Sequence, residues 1–412
     1  MKKIIAWLLA LCLLVSMTGC GTQMSAQDLM ADIKPQKLKD IEFSDNGIFM
    51  TDFAARLLQN TMKEGENTLI SPVSAMLALS MTANGAKGET LAQMEAVLGL
   101  PAEELNENLR AYMSQLPQGQ KYKLSIANSI WFRDDARLSV KPDFLQTNAD
   151  YYSAAVYKAH FDDGTCKDIN NWVKENTAGM IPQIIKQIPE DAVMYLINAL
   201  AFDAQWQSPY EKTQVQPGRF TLEDGSFELV DLMYSRETRY LEDEHAVGFI
   251  KPYAQDRYAF AVLLPREGMP VAEYVSTLTG EKLSAILNGA TYAQVDAAMP
   301  KFETEFSAEL ADVLKQMGMT DAFDPDAADL TGLGSSTAGN IHISRVIHKT
   351  YICVGEEGTK ASAATAIVAA DGALLVPEDV KYVHLNRPFV YMIIDCETNT
   401  PVFLGTMMDI AG

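Results

Sequence analysis

The chain has 412 residues, 48% of them hydrophobic and 9% aromatic, which is enough to bury a large core and incompatible with general disorder. Its 54 acidic against 33 basic residues give a net charge of −21, which repels phosphate backbones and anionic membrane surfaces and argues against nucleic acid as a partner. The same acidity keeps a secreted protein soluble.

The first twenty residues read as an export signal. Lys2 and Lys3 form a positive start, Ile4 to Met17 an apolar run, and Met17-Thr18-Gly19-Cys20 resembles a bacterial lipobox with Met17 where Leu is usual. Residues 1–19 are expected to be removed, leaving Cys20 lipidated, and the polar stretch to residue 44 reads as a tether. No later segment is apolar for the ~20 residues a membrane span needs. Residues 45–412 carry no linker, repeat or charge block, so one domain is expected. Beyond the leader only Cys166, Cys353 and Cys396 remain, without CxxC spacing, which points to free thiols rather than disulfides or zinc.

Phe49, Phe53, Leu57 and Leu58 recur at helical spacing before Gly65 and Asn67. Ser71-Pro72 places a capping hydroxyl and a first-turn proline at the head of a second helix, ending near Asn84-Gly85. Leu124, Ile126, Ile130 and Phe132 predict a strand, as do Val193–Ile197, Tyr258–Leu264 and Val346–Val354. Helical stretches are predicted around Ile169–Lys174 and Ser307–Met317. The residues alone give an α+β fold dominated by a sheet.

Enzyme signatures are missing: no G-x-S-x-G, H-E-x-x-H, Walker or dinucleotide glycine motif occurs. His160, His245, His342, His348 and His384 are scattered, and Asp321, Asp324, Asp326 and Asp329 lack the glycine and closing glutamate of a calcium loop. No metal, cofactor or catalytic residue is expected.

The stretch from Glu356 through Gly358 to Ala370 is a glycine followed by a dozen residues nearly free of bulk and charge. It resembles the reactive-loop hinge of inhibitory serpins. The resemblance extends through Asn67–Ser74, Asn84–Thr90, Ile169–Val173, Asn198–Phe202 with Trp206, Pro300–Phe302, His348-Lys349 and Arg387–Phe389, all in family order. A departure is Asp203-Ala204-Gln205, where relatives usually carry a basic residue and a glycine.

The resemblance implies a serpin fold of three β-sheets and about eight or nine helices, with an exposed reactive-centre loop over about 356–380. It also implies a suicide-substrate inhibitor of serine proteases, not an enzyme: the protease forms an acyl-enzyme with the loop, which then inserts into the main sheet. The hinge would be Glu356, Gly358, Thr359, Ala361, Ala363, Ala364 and Thr365. Trp206 matches the point where insertion starts, and Ser71, Ser74, Asn198 and His348 match the polar cluster beneath the parting strands. The alternative is a non-inhibitory serpin-fold binding protein.

Alternation puts Thr359, Ala361, Ala363, Thr365, Ile367 and Ala369 on one face of an inserted strand, none of them charged, with Lys360 on the other. The family's customary spacing from Gly358 puts the scissile bond at Gly372-Ala373, with Asp371 and Leu374 as alternatives before the cut. The absence of Arg and Lys there favours elastase-like or subtilisin-like proteases over trypsin-like ones. The expected protein is a monomer on the bacterial cell surface or outside it, held to the membrane only through lipid on Cys20.

Overall fold

The computed structural model describes residues 24–39, 47–116, 122–359 and 380–411. The first predicted helix, α1, runs Ile48–Thr61 and the second, α2, Pro72–Ala83. At the head of α2 Ser71 is extended, its side chain accepts from Ser74 N, and Pro72 occupies a first-turn position where a missing N–H costs nothing. All twelve residues of α2 are buried, so this helix runs through the core rather than along its surface. Helix α3, Asp163–Asn176, starts at a capping box between Asp162 and Thr165.

The main sheet has seven strands, numbered along the chain: Gln27–Asp28 (β1), Tyr122–Arg133 (β2), Ala155–Ala159 (β3), Met194–Gln205 (β4), Phe302–Glu309 (β5), Arg345–Val354 (β6) and Gly358–Thr359 (β7). Their spatial order is β1-β3-β2-β4-β7-β6-β5. Strand β4 is almost continuously apolar because both its faces are covered. Leu200, Phe202 and Ala204 pack into the core shared with the second sheet, and Ile197, Ala199 and Ala201 into a cluster with Ile169, Trp172 and Val173 of α3.

The second sheet has nine strands and includes the sixteen-residue strand Phe227–Glu242, whose first part pairs with Val215–Thr221 and whose last residues pair with Ala246–Pro252. Strand Val380–His384 lies at its edge, parallel to Thr291–Pro300. A two-stranded ribbon, Gly334–Ser336 with Leu138–Val140, is the third sheet. Nine α-helices occur among the described residues.

Two expectations change. The helix predicted over Ser307–Met317 is shorter: Phe302–Glu309 is strand and only Ala311–Gln316 is helix. Glu309 Oε1 accepts from Ala311 N at 3.0 Å and from Val346 N at 3.0 Å, so one carboxylate ends the strand and starts the helix. The stretch 20–44, expected as a tether, is instead docked over residues 24–39. Asp168 Oδ2 accepts from Ser25 N, Ser25 Oγ and Ala26 N at 2.8, 2.6 and 3.1 Å. Gln27 and Asp28 then pair with Lys158 and Tyr157 of β3, adding a strand to the sheet edge. Leu29, Met30 and Ile33 pack on the core, and Arg110 donates to Lys39 O at 2.6 Å.

Cys166 is buried and Cys353 and Cys396 partly so, and none of the three is in a disulfide; burial pushes Cys396 up to about 11. Among the described residues no helix is long and apolar enough to cross a membrane, and no group of three or more metal-binding side chains gathers.

Candidate functional site: a fork in the main sheet

Strands β4 and β6 pair in parallel from Tyr195 opposite Arg345 to Ala201 opposite Tyr351, and above that they part. The gap is filled by β7: Gly358 lies opposite Gln205, and Thr359 lies between Ala204 and Val354. The chain leaves β6, turns tightly with Gly355 N donating to Gly358 O at 2.9 Å, and re-enters the sheet antiparallel to both neighbours.

Gly358 is required by position. Its φ is +154°, and a Cβ there would meet Ala204 O at 2.0 Å and Gln205 Cα at 2.8 Å. Thr359 is fully buried and its Oγ1 lies 2.5 Å from Tyr253 OH. Tyr253 stacks on Trp206, with ring centroids 4.3 Å apart and planes 10° apart. Trp206 holds the turn twice: its N donates to Glu357 O at 2.9 Å, and its Nε1 to Gly355 O at 2.8 Å. Tyr210 N donates to Glu356 O at 2.9 Å.

Glu356 pairs with Lys301 at 2.5 Å, and Lys301 also reaches Asp231 at 3.4 Å. The Lys301 ammonium holds the Glu356 carboxyl below the usual carboxylate range, and Glu356 in turn raises Lys301. The departure at Asp203-Ala204-Gln205 leaves the site intact. All three residues lie in β4, and the last two pair with the hinge.

Three rows below the end of the fork, a polar row crosses three strands. Asn128 of β2 lies opposite Asn198 of β4, which lies opposite His348 of β6. His348 Nε2 accepts from Ser71 N at 3.1 Å, so its proton sits on Nδ1 and is donated to Asn198 Oδ1. Asn198 Nδ2 donates to Ser74 Oγ at 2.6 Å and to Asn128 Oδ1 at 2.7 Å, while Asn128 Nδ2 returns a bond to Ser74 O at 3.0 Å. Ser71, Ser74, Asn198 and His348 are all fully buried. Burial brings the His348 pKa down to about 3, so the imidazole is neutral near neutral pH. The row is a satisfied network that must break if β4 and β6 separate further.

The sequence-predicted residues thus fall into two groups. Glu356, Gly358, Thr359 and Trp206 meet at the fork; Ser71, Ser74, Asn198 and His348 meet in the row below it. Cys20, Ala361, Ala363, Ala364, Thr365, Asp371, Gly372, Ala373 and Leu374 lie outside the described residues. Sequence reasoning missed Tyr253, Tyr210 and Asn128, and quoted Lys301 only as part of a motif.

Comparison with known proteins agrees with this geometry. The profile of the Serpin (serine protease inhibitor) family matches residues 49–410. An uncharacterized serpin-like protein of Thermococcus kodakarensis is 29% identical over 367 residues, covering 87% of this chain and 84% of that one. The leukocyte elastase inhibitor of Bos taurus is 30% identical, covering 83% and 92%. The thermophilic serpin tengpin in its native state superposes with a TM-score of 0.89 at 47% identity, over 93% of this chain and all of that one. Tengpin in its latent state gives 0.78 at 44% identity, over 91% and 100%. With its fold, its forked main sheet and nearly its whole length in agreement, the chain belongs to the serpin family.

Proposed function

We propose that this serpin inhibits serine proteases as a single-use suicide substrate, by acyl-enzyme trapping and insertion of its loop between β4 and β6. The observation that carries the reading is β7, two residues already seated between β4 and β6 at the head of the fork, with Thr359 paired on both sides.

Continuing that register two residues at a time sets Ala361 against Phe202 and Ile352, Ala363 against Leu200 and Thr350, and Thr365 against Asn198 and His348. Thr359 faces Tyr253 and the core, so these residues follow it inward. None is charged, and an unpaired charge on that face would cost several kcal/mol. Lys360 falls on the opposite face. Insertion adds ladder hydrogen bonds, each worth about 1 kcal/mol net, against backbone ordering of roughly 1–2 kcal/mol per residue, so burial of small apolar side chains decides the balance.

The target we infer is an elastase-like or subtilisin-like protease cutting at Gly372-Ala373, or after Asp371 or Leu374. The small apolar sequence around these residues supports it, as does the bovine relative named for elastase. We further infer a monomer exported from a bacterial cell and lipidated at Cys20. Reaction with elastase and with subtilisin, followed by mass measurement of the released C-terminal peptide, identifies the bond. A peptide starting at Ala373 is expected, and cleavage confined to residues outside 370–375 would overturn the assignment. Radiolabelled palmitate should enter the wild type expressed in bacteria and not Cys20→Ala; label in both, or in neither, removes the lipid anchor.

A further inference from the structure

Below the residues that hold the hinge lies an ion pair with no part in the mechanism above. Lys251 Nζ stands 2.9 Å from Glu237 Oε1, with the two side chains only 3% and 8% exposed. The ammonium lies 4.3 Å from the Tyr210 ring centroid and 5.5 Å from the Trp206 ring. Glu237 Oε1 also accepts from Ser235 Oγ at 2.7 Å, and Ser235 Oγ lies 3.3 Å from Tyr210 OH. Tyr210 is therefore fixed at its ring by the cation and at its hydroxyl through Ser235. Trp206 stacks on the Tyr253 ring and also lies within reach of Lys251.

Trp206 and Tyr210 are the residues whose backbone N–H groups hold Glu357 O and Glu356 O. The Trp206 ring also carries the Nε1–H that donates to Gly355 O at 2.8 Å, so a tilt of that ring moves a donor off the turn directly. A buried pair of opposite charges adds little stability over apolar side chains of the same volume, because desolvating both ions offsets their attraction. Directional contacts do what apolar filler does not: a cation over a ring and a tethered hydroxyl select one orientation.

We propose that Lys251 and Glu237 are positioning residues of the hinge. They fix Trp206 and Tyr210 so that the Gly355–Gly358 turn stays seated at the head of the fork, and so set the fraction of attacked loops that insert in time to trap the protease. The second half rests on the inhibitory reading; the first is measurable without any protease.

The test uses the full chain carrying Lys251→Met, Glu237→Gln or both, with Lys251→Arg as the conservative variant. The double variant leaves no lone buried charge, which keeps the test open if a single variant does not fold. Amide hydrogen exchange in 206–210 and 355–359 should quicken about tenfold in the neutral variants, stay near wild type in Lys251→Arg, and not change in 195–200. The number of inhibitor molecules consumed per protease trapped should rise roughly threefold, with the rate of initial attack on the loop within about twofold of wild type. Unchanged exchange at the turn in folded variants, or a uniform rise across the whole chain, overturns the positioning role. Local exchange that quickens without altering the consumption ratio overturns the link to trapping. A wild type that traps no protease overturns the inhibitory reading instead, while the exchange result still decides what the pair does.

Discussion

Gly358 and Thr359 enter the sheet on different grounds, one by lacking a side chain and the other by burying a short hydroxyl against Tyr253. Thr359→Arg would force a cation into that fully buried position without a partner, at a cost of several kcal/mol. Rapid loop cleavage with little or no trapping is expected from it, read as the ratio of cleaved to complexed inhibitor on a denaturing gel.

His348 makes a prediction about pH. Its folded pKa is down at about 3, whereas an unfolded histidine titrates near 6.5. Below pH 6.5 the unfolded chain takes up a proton that the folded one refuses, so this group's contribution is complete above 6.5 and lost progressively as pH falls towards 3. The loss amounts to a few kcal/mol by the lower limit. Denaturant unfolding at pH 7 and pH 4.5 should show this, and His348→Gln should have a flatter pH slope than wild type. An equal slope in the two proteins would remove His348 as the cause.

At the scale of elements, β1 is a short strand with a long reach. Residues 24–39 cover the free edge of β3 and engage a buried carboxylate on α3 through three donors. Asp168→Ala should leave those donors unpaired and cost about 1–3 kcal/mol, with proteolysis accelerated first within 24–39. Unaltered digestion there would show that the segment is held by other contacts.

The same segment marks the limit of what the sequence carries. Helix α2 was legible because Ser71-Pro72 is a local signal, and the first part of β4 because a strand covered on both faces starts as an apolar run; Asn198 interrupts that run, and the strand's continuation to Gln205 was not read. The stretch from Glu356 stood out in the sequence by its lack of bulk and charge, and of the hinge residues named there Glu356, Gly358 and Thr359 are among the described residues. Strand β1 was not legible, since its partners are more than a hundred residues away and its own residues are polar. Asn128 and the Lys251–Glu237 pair escaped for the same reason: each is an ordinary polar residue until the sheet brings its partner to it. The helix expected over Ser307–Met317 is shorter because Glu309 bonds to both Ala311 N and Val346 N where the strand ends and the helix starts.

For the whole molecule, the forked sheet is an unfinished one. Two residues of β7 occupy the head of a slot whose lower part is closed by direct β4–β6 pairing and by the Asn128–Asn198–His348 row. A loop cut in the 370–375 region and inserted in the register of Thr359 would complete a strand through that slot. Cleavage at the loop should then raise the thermal unfolding midpoint by tens of degrees, because many added rungs and buried methyl groups act together. A calorimetric scan before and after cleavage reads this directly.

The central claim is that insertion outruns deacylation. Mixing the purified protein with elastase or subtilisin and running a denaturing gel tests it in one step: the account predicts a complex that survives denaturation, carrying the protease in covalent linkage to the cut loop. Complete cleavage of the loop with free, active protease and no gain in heat resistance would contradict it.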